Sequence, residues 1–369
     1  LKMSPQLLES TSRVVKFIYN GLGIVQFSYD KTPPPTKFAK IVPRLWSVLS
    51  YSTFIHLCIF FNNSRHDGKI MTYVQVFLYH GTVILMIVLF ITFYNRSNRI
   101  KTLLICIGDM VVPLSSSVPP KKRICIRSTF VGVLFALIIA SSFQEGNTYY
   151  FIFWYYCCII IAFDTVFIND IFDHIGDKFA AVNEELQLHT KRDKSVLRFY
   201  KKTTFRDTNS LQNLSHFHSE LIFLTLEITK QFGVPIIVSM IHSFICMIDG
   251  SYTVTVLAAY SQHLTSRFAT NFIYLVFALL RLYVLIAKIC ETQELANSGV
   301  LHLHEIWNQH VSRKEMNREF RHLELLSVRM SNARVQFNIR GFFILDWTFF
   351  QTMVVAFTTY WLILVQFQV

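Results

Sequence analysis

The chain has 369 residues, of which 52% are hydrophobic and 35 are phenylalanine, and its formal net charge at pH 7 is +12. With a mean hydropathy of +0.39, this composition is typical of an integral membrane protein and excludes an ordinary soluble enzyme.

Seven charge-poor runs are each near the roughly 20 residues that a helix needs to cross a bilayer. In chain order they are residues 45–61, 70–94, 128–143, 149–169, 233–257, 271–290 and 342–367. The predicted fold class is therefore all-α, a polytopic membrane protein with seven transmembrane helices. No cleavable signal peptide is predicted, because residues 1–44 hold seven basic side chains and no isolated apolar core.

The basic residues predict the orientation. With a cytoplasmic N-terminus, the inner segments carry 30 Lys and Arg residues and the outer segments carry 3, as the positive-inside rule requires. This topology accounts for the net charge, so no nucleic-acid partner is predicted. It also argues against a G-protein-coupled receptor, which has the opposite orientation. The Asp-Arg-Tyr and Asn-Pro-x-x-Tyr motifs of that class are missing after the third span and in the seventh.

The inner segments are long and carry apolar residues at helical spacing, whereas the outer connections are short. These apolar residues are Ile175, Phe179, Val182 and Leu186, then Leu211, Leu214, Phe217 and Leu221, then Phe320, Leu323, Leu326 and Met330. The spacing predicts that spans four to seven extend into a packed cytoplasmic anchor bundle, which could supply contacts in a homo-oligomer. The alternative is that these segments lie flat on the lipid headgroups.

Three parts of the chain follow from this prediction. Residues 1–44 form a cytoplasmic N-terminal segment. Residues 45–318 hold helices one to six and their cytoplasmic extensions, with the candidate ligand-binding residues described below. Residues 319–369 form a cytoplasmic helix and the seventh helix.

The last span carries a polar stripe, made of Thr348, Thr352, Thr359 and Gln366. Thr352, Thr359 and Gln366 are seven residues apart and so share a helix face, and Thr348 falls within about 40° of their line. A Thr hydroxyl can bond back to a carbonyl one turn earlier, but a Gln side chain has no such partner and is costly in hydrocarbon. The stripe predicts a pore lining or a subunit interface. Since it holds no carboxylate, a pore lined by it would discriminate weakly among cations.

Ionisable residues within the spans are a second functional signal. Asp164 and Arg281 could pair across two helices. Asp249 lies in the outer half of the fifth span, at a depth rich in aromatic residues. The candidate ligand-binding residues at this depth are Tyr150, Trp154, Tyr155, Asp249, Tyr252 and Tyr274. They predict either a small-molecule pocket or an interfacial aromatic belt.

No catalytic motif is recognised, so the chain is predicted not to be an enzyme and to need no cofactor. The pairs His216 with His218 and His302 with His304 are two residues apart on predicted helices. That spacing turns the two rings of each pair about 200° apart, so neither pair can chelate one metal ion.

The end of the chain resembles insect gustatory receptors. The run Gly-Phe-Phe-Ile-Leu-Asp at residues 341–346, followed by Thr359-Tyr360 and Gln366-Phe367, is similar to the C-terminal signature of that family. Residues 320–327 resemble the cytoplasmic segment that leads into it. Upstream of residue 320, only the topology, length and order of the spans match.

This resemblance implies a homotetrameric, ligand-gated, non-selective cation channel in the plasma membrane, placed in the dendrite of a chemosensory neuron. An extracellular tastant, a bitter compound or a sugar, would open it, and the run at 341–346 is closer to the bitter-type branch. The seventh helix would line the pore, with Gln366 and Phe367 at the extracellular-side gate. Phe367 is about 100° from the polar stripe on a straight helix. Either the end of the helix twists, or opening of the channel rotates Phe367 away from the pore and Gln366 toward it. The alternatives are an odorant-receptor-type subunit and a monomeric transporter.

Overall fold

The computed structural model describes residues 70–110, 148–196, 205–260, 266–312 and 334–366, with short pieces at 324–325, 327–328 and 331–332. Several predicted features lie outside the described residues: the segment 1–44, the spans 45–61 and 128–143, the apolar residues Phe320, Leu323, Leu326 and Met330, and the gate candidate Phe367.

The described chain is mostly helical, as predicted. Its elements in order are α1 (Ile70–Asp109), α2 (Thr148–Val196), α3 (Phe205–Tyr260), α4 (Ser266–Ser312), β1 (Asn338–Ile339), β2 (Phe343–Ile344) and α5 (Trp347–Gln366). Helical segments long and apolar enough to cross a membrane lie at Gln212–Thr255, Asn271–Asn308 and Trp347–Gln366, and a shorter apolar stretch lies at Ile84–Phe93.

Three helices are far longer than a bilayer requires. α2, α3 and α4 have 49, 56 and 47 residues, more than twice the roughly 20 residues of a spanning helix. The predicted apolar positions on their extensions are buried: Ile175, Phe179, Val182 and Leu221 have no exposed surface, and Leu214 has 2%. The extensions therefore pack against one another, which confirms the predicted bundle.

Polar contacts fix the register of this bundle. The Asn183 side-chain amide, on α2, donates to the Leu295 carbonyl at 2.7 Å and lies 2.8 Å from the Ser298 hydroxyl of α4. His218 of α3 contacts the Ala296 carbonyl through Nε2 at 3.0 Å. These bonds tie all three helices together over a single turn of α4.

A β-hairpin leads into α5. Arg340 and Gly341 have φ angles of 55° and 79°, and the Gly341 N–H donates to Asn338 Oδ1 at 2.8 Å. This left-handed turn suits glycine, which has no Cβ to clash. Leu345 is fully buried, and Asp346 Oδ1 accepts from the Phe349 N–H at 2.8 Å, which caps the first turn of the helix.

The hairpin corrects the predicted start of the last span. The apolar run begins at Phe342, but α5 begins at Trp347, because Gly341 turns the chain and Asp346 caps the helix. Asp346 acts as the N-cap of α5.

Candidate functional site

One face of α5 packs against α3 and α4. Phe350, Met353 and Phe357 are half-buried against the core of the chain. Near the far end, the Trp361 indole N–H donates to the Thr255 hydroxyl of α3 at 3.0 Å. These contacts fix the rotation of α5 about its own axis.

The polar stripe lies on the other face of α5. Thr348, Thr352, Thr359 and Gln366 are all exposed, and at 100° per residue they lie roughly opposite Phe350, Met353 and Phe357. No residue of α5 is buried. A membrane-crossing helix with this much free surface has room for further contacts along most of its circumference.

Two threonine hydroxyls of the stripe donate hydrogen bonds to carbonyls within α5. The Thr352 hydroxyl donates to the Thr348 carbonyl and the Thr359 hydroxyl to the Val355 carbonyl, both at 2.9 Å. Each hydroxyl oxygen can still accept a bond from water. The sequence analysis missed Gln351 and Thr358, which are also exposed on the flank of this face. They are seven residues apart, so they share a helix face beside the stripe, and that spacing was the available signal.

Three of the candidate ligand-binding residues have described side chains, and they lie on α3 and α4. Asp249 and Tyr252 are half-buried on α3. Tyr274, on α4, is buried, and its hydroxyl donates to Cys246 Sγ at 2.7 Å. That hydroxyl is thus used in a contact between helices. Tyr150, Trp154 and Tyr155 lie on α2, but their side chains are not among those described.

Arg281 is buried between α3 and α4, with 2% of its surface exposed. Its Nε donates to the Ser243 hydroxyl at 3.0 Å, and its terminal nitrogen lies 2.7 Å from His242 Nδ1. The predicted ion pair with Asp164 does not form: both oxygens of that carboxyl are buried without a hydrogen-bond partner in the described chain. Arg281 bonds instead to neutral groups on α3.

This polar network extends to α2. The Thr165 and Ser239 hydroxyls are 2.7 Å apart, and Cys246 Sγ lies 3.5 Å from the His242 ring. Sequence reasoning found Arg281 but missed these partners. They were visible as a pattern, because Ser239, His242 and Cys246 recur at helical spacing on one face of α3.

Residues 13–369 of the sequence match the family described as 7tm chemosensory receptor. The chain belongs to this family. No curated protein matches the sequence. Among solved structures, this chemosensory receptor is similar to the insect olfactory receptor OR5 from Machilis hrabei, with a TM-score of 0.63, 15% identity, and coverage of 97% of this chain and 98% of the other. The same receptor in complex with eugenol aligns with a TM-score of 0.57 and 15% identity over 96% of each chain.

The histidines of the receptor's bundle have separate surroundings. His218 is buried and packs edge-on against Phe179, with ring centroids 5.5 Å apart. His216 is exposed and lies 3.7 Å from Glu220. Among the described residues, no group of three His, Cys, Asp or Glu side chains could hold a metal ion.

Proposed function

We propose that this chemosensory receptor is a gustatory-type, ligand-gated, non-selective cation channel in which four copies of the chain surround a central pore. The observation that carries the proposal is the position of the polar stripe on α5. The stripe lies on the free face of an apolar helix that is long enough to span the membrane. Lipid offers no hydrogen bonds to the Gln366 amide or to the threonine hydroxyls, so a water-filled axis is the favourable surrounding for this face.

A closed ring of subunits gives the rest of α5 a partner as well. In a cyclic homo-oligomer each copy presents the same surface, so the flanks of α5 with Gln351 and Thr358 would meet neighbouring subunits while the stripe faces the axis. The cytoplasmic bundle would supply further contacts between copies. The expected location is the plasma membrane, in the dendrite of a chemosensory neuron.

The chemistry of the stripe fits weak ion selectivity. Hydroxyl and amide oxygens can replace part of a cation's hydration shell, but without a carboxylate they impose no strong field. Four Phe367 rings at the outer end would hold the pore closed by excluding water, and Gln366 would line it when open.

The ligand is proposed to be a small extracellular tastant, a bitter compound or a sugar. The residues proposed to bind it are Asp249, Tyr252, Tyr274, Tyr150, Trp154 and Tyr155. The relative solved with eugenol supports a small aromatic molecule as one class to test. Asp249→Ala is expected to shift the agonist dose response and leave the maximal current unchanged, whereas an unchanged dose response would assign Asp249 to packing.

An odorant-receptor-type subunit is the second candidate, because both structural relatives described above are olfactory receptors. The two functions differ in whether the chain conducts ions without a second type of subunit. Agonist-evoked current in cells that express this chain alone supports the gustatory-type channel, whereas current that needs a second subunit supports the odorant type.

Cysteine accessibility tests the pore directly. Thr352→Cys and Thr359→Cys should react with aqueous thiol reagents and block current mainly in the presence of agonist. Met353→Cys is the matched control, because Met353 is on the face packed against the core, and it should stay unreactive. Inert cysteines at both threonine positions under saturating agonist would contradict the pore assignment.

A further inference from the structure

α3 continues through Pro235, at the start of its apolar run, but its ladder of backbone hydrogen bonds has a break there. Pro235 has no N–H, so the carbonyl of Gln231, four residues earlier, loses its helical partner. Arg96 of α1 replaces it: one guanidinium nitrogen donates to the Gln231 carbonyl at 2.9 Å and lies 3.4 Å from the Lys230 carbonyl. This bond holds the Arg96 guanidinium at the break in α3.

A second arginine reaches the same break from the hairpin. A Cβ built on Gly233 would lie 3.1 Å from Cγ and 3.5 Å from Nε of Arg340. With any other residue at position 233, Arg340 would have to shift by a few tenths of an ångström. Since Arg340 sits in the left-handed turn with φ of 55°, the hairpin itself directs this side chain to the break.

The arginines are close enough to repel. Burial lowers the pKa of Arg96, and the positive charges of Arg340 and then Arg99 lower that pKa further. We refer to Arg96, Arg99 and Arg340 as the arginine cluster. Two positive side chains brought together with a third nearby, at the edge of a membrane, favour a compensating negative charge.

The described protein does not supply that charge. The nearest carboxylate on α3, Glu227, accepts from the Gln231 amide at 2.8 Å and lies 4.0 Å from Lys230. Asp173 of α2 pairs with Lys288 at 2.9 Å. Within the described ranges, no carboxylate lies within ion-pair distance of Arg96 or Arg340.

The cluster lies where three elements meet the membrane boundary. Arg96 lies two residues after the apolar run 70–94, Pro235 lies near the start of the run 233–257, and Arg340 precedes α5. The basic-residue asymmetry of the sequence places this boundary on the cytoplasmic side. That leaflet carries the anionic lipids, which attract basic groups next to membrane helices.

We propose that the arginine cluster binds the phosphorylated headgroup of an anionic phospholipid of the phosphoinositide type. Guanidinium groups present paired N–H donors that match phosphate oxygens. Because one nitrogen of Arg96 makes both carbonyl contacts, its other two nitrogens can point to a phosphate. A bound headgroup would join α1, the break in α3 and the hairpin that leads into α5.

Lipid titration of the full-length protein tests this proposal. The purified protein is placed in phosphatidylcholine nanodiscs with increasing fractions of phosphatidylinositol 4,5-bisphosphate, and bound lipid is counted by native mass spectrometry. Loss of one charge-assisted contact should weaken binding about tenfold in Arg340→Gln and in Arg96→Gln. Arg334→Gln is the matched control, since Arg334 is an exposed arginine of the segment before the hairpin, and it should change binding less than about twofold.

Two outcomes would overturn the proposal. Unchanged lipid binding by folded Arg340→Gln would remove the cluster as the site. Binding of soluble inositol trisphosphate as tightly as the lipid would show that the occupant is a free phosphate compound. If Arg96→Gln fails to fold because the Gln231 carbonyl loses its partner, Arg340→Gln decides alone, since Arg340 makes no hydrogen bond to that carbonyl.

Discussion

At the scale of single residues, Gly299 lies at a tight point of the anchor bundle. A Cβ built there would lie 2.8 Å from Asn183 Oδ1 and 3.3 Å from His218 Nε2. Asn183 cannot yield cheaply, because its amide nitrogen is bonded to the Leu295 carbonyl and to Ser298. A methyl group at residue 299 must therefore disturb bonds that join α2, α3 and α4.

We expect Gly299→Ala to lower the free energy of unfolding by about 1–3 kcal/mol, the usual cost of overpacking. The measurement is the fraction of protein that remains monodisperse after heating, followed by fluorescence-detected size exclusion. Gly176→Ala is the matched control: its Cβ would meet nothing closer than Leu295 Cδ1 at 3.5 Å. As a glycine inside a helix, Gly176 should give a gain of about 0.5–1 kcal/mol when changed to Ala. Shifts of the same sign in both variants would contradict this account of the bundle.

Arg281 shows how far sequence reasoning reaches at this scale. An arginine inside an apolar run must have partners, and that much follows from its position alone. Which groups bond to Arg281 depends on how α3 is rotated against α4, since the sequence offers both Asp164 on α2 and Ser243 on α3 as partners. The structure selects Ser243 and His242, a result of packing that no spacing on α4 could have indicated.

At the scale of helices, the break in α3 and the arginine of α1 act as a pair. Removal of Arg96 leaves the Gln231 carbonyl without a donor, which should cost about 1–3 kcal/mol of stability. With Pro235→Ala, the restored N–H can bond to that carbonyl within the helix. Arg96→Ala should then cost at least about 1 kcal/mol less in the Pro235→Ala background than in the wild type. Thermal unfolding in detergent without anionic lipid measures all four proteins of this cycle, and additive effects would show that the two residues are independent.

The outer end of α5 gives a second prediction for an element. Phe367→Ala should produce agonist-independent cation current, because an apolar ring that excludes water would be lost. Gln366→Ala would remove the group proposed to replace hydration water, so it should mainly lower single-channel conductance or alter gating. Patch-clamp recording of both variants separates the two roles. A silent Phe367→Ala channel with normal agonist response would place the gate elsewhere.

The start of α5 shows the limit of hydropathy as a predictor. Phe342, Phe343, Ile344 and Leu345 are as apolar as the helix that follows, so a hydropathy scale counts them in the span. The turn is set by Gly341 and by the capping carboxylate of Asp346, which are signals of backbone conformation. The long helices were predictable because their apolar spacing continues beyond the spans.

At the scale of the whole molecule, we expect the chain to assemble into a homotetramer. Protein solubilised in mild detergent should have the mass of four chains in light scattering, because α5 and the bundle both present surface for other copies. Particles that contain one chain would contradict the channel and favour the monomeric transporter.

The orientation of the whole chain is a separate prediction. A C-terminal epitope should be labelled on intact cells, and an N-terminal epitope only after permeabilisation, since 30 basic residues lie in segments predicted to face the cytoplasm. The reverse labelling would contradict both the predicted topology and the cytoplasmic position of the arginine cluster.

The hydrogen bonds of Arg281 also bear on how the receptor is synthesised. A lone arginine at the centre of a membrane helix costs about 2.5–3.5 kcal/mol on scales from translocon insertion. Residues 261–265 alone connect α3 to α4, so the two helices can leave the translocon together as a hairpin with Arg281 already bonded to Ser243. Because Ser243 and His242 precede Arg281 in the chain, the acceptors are in place before the ribosome adds the residue that needs them.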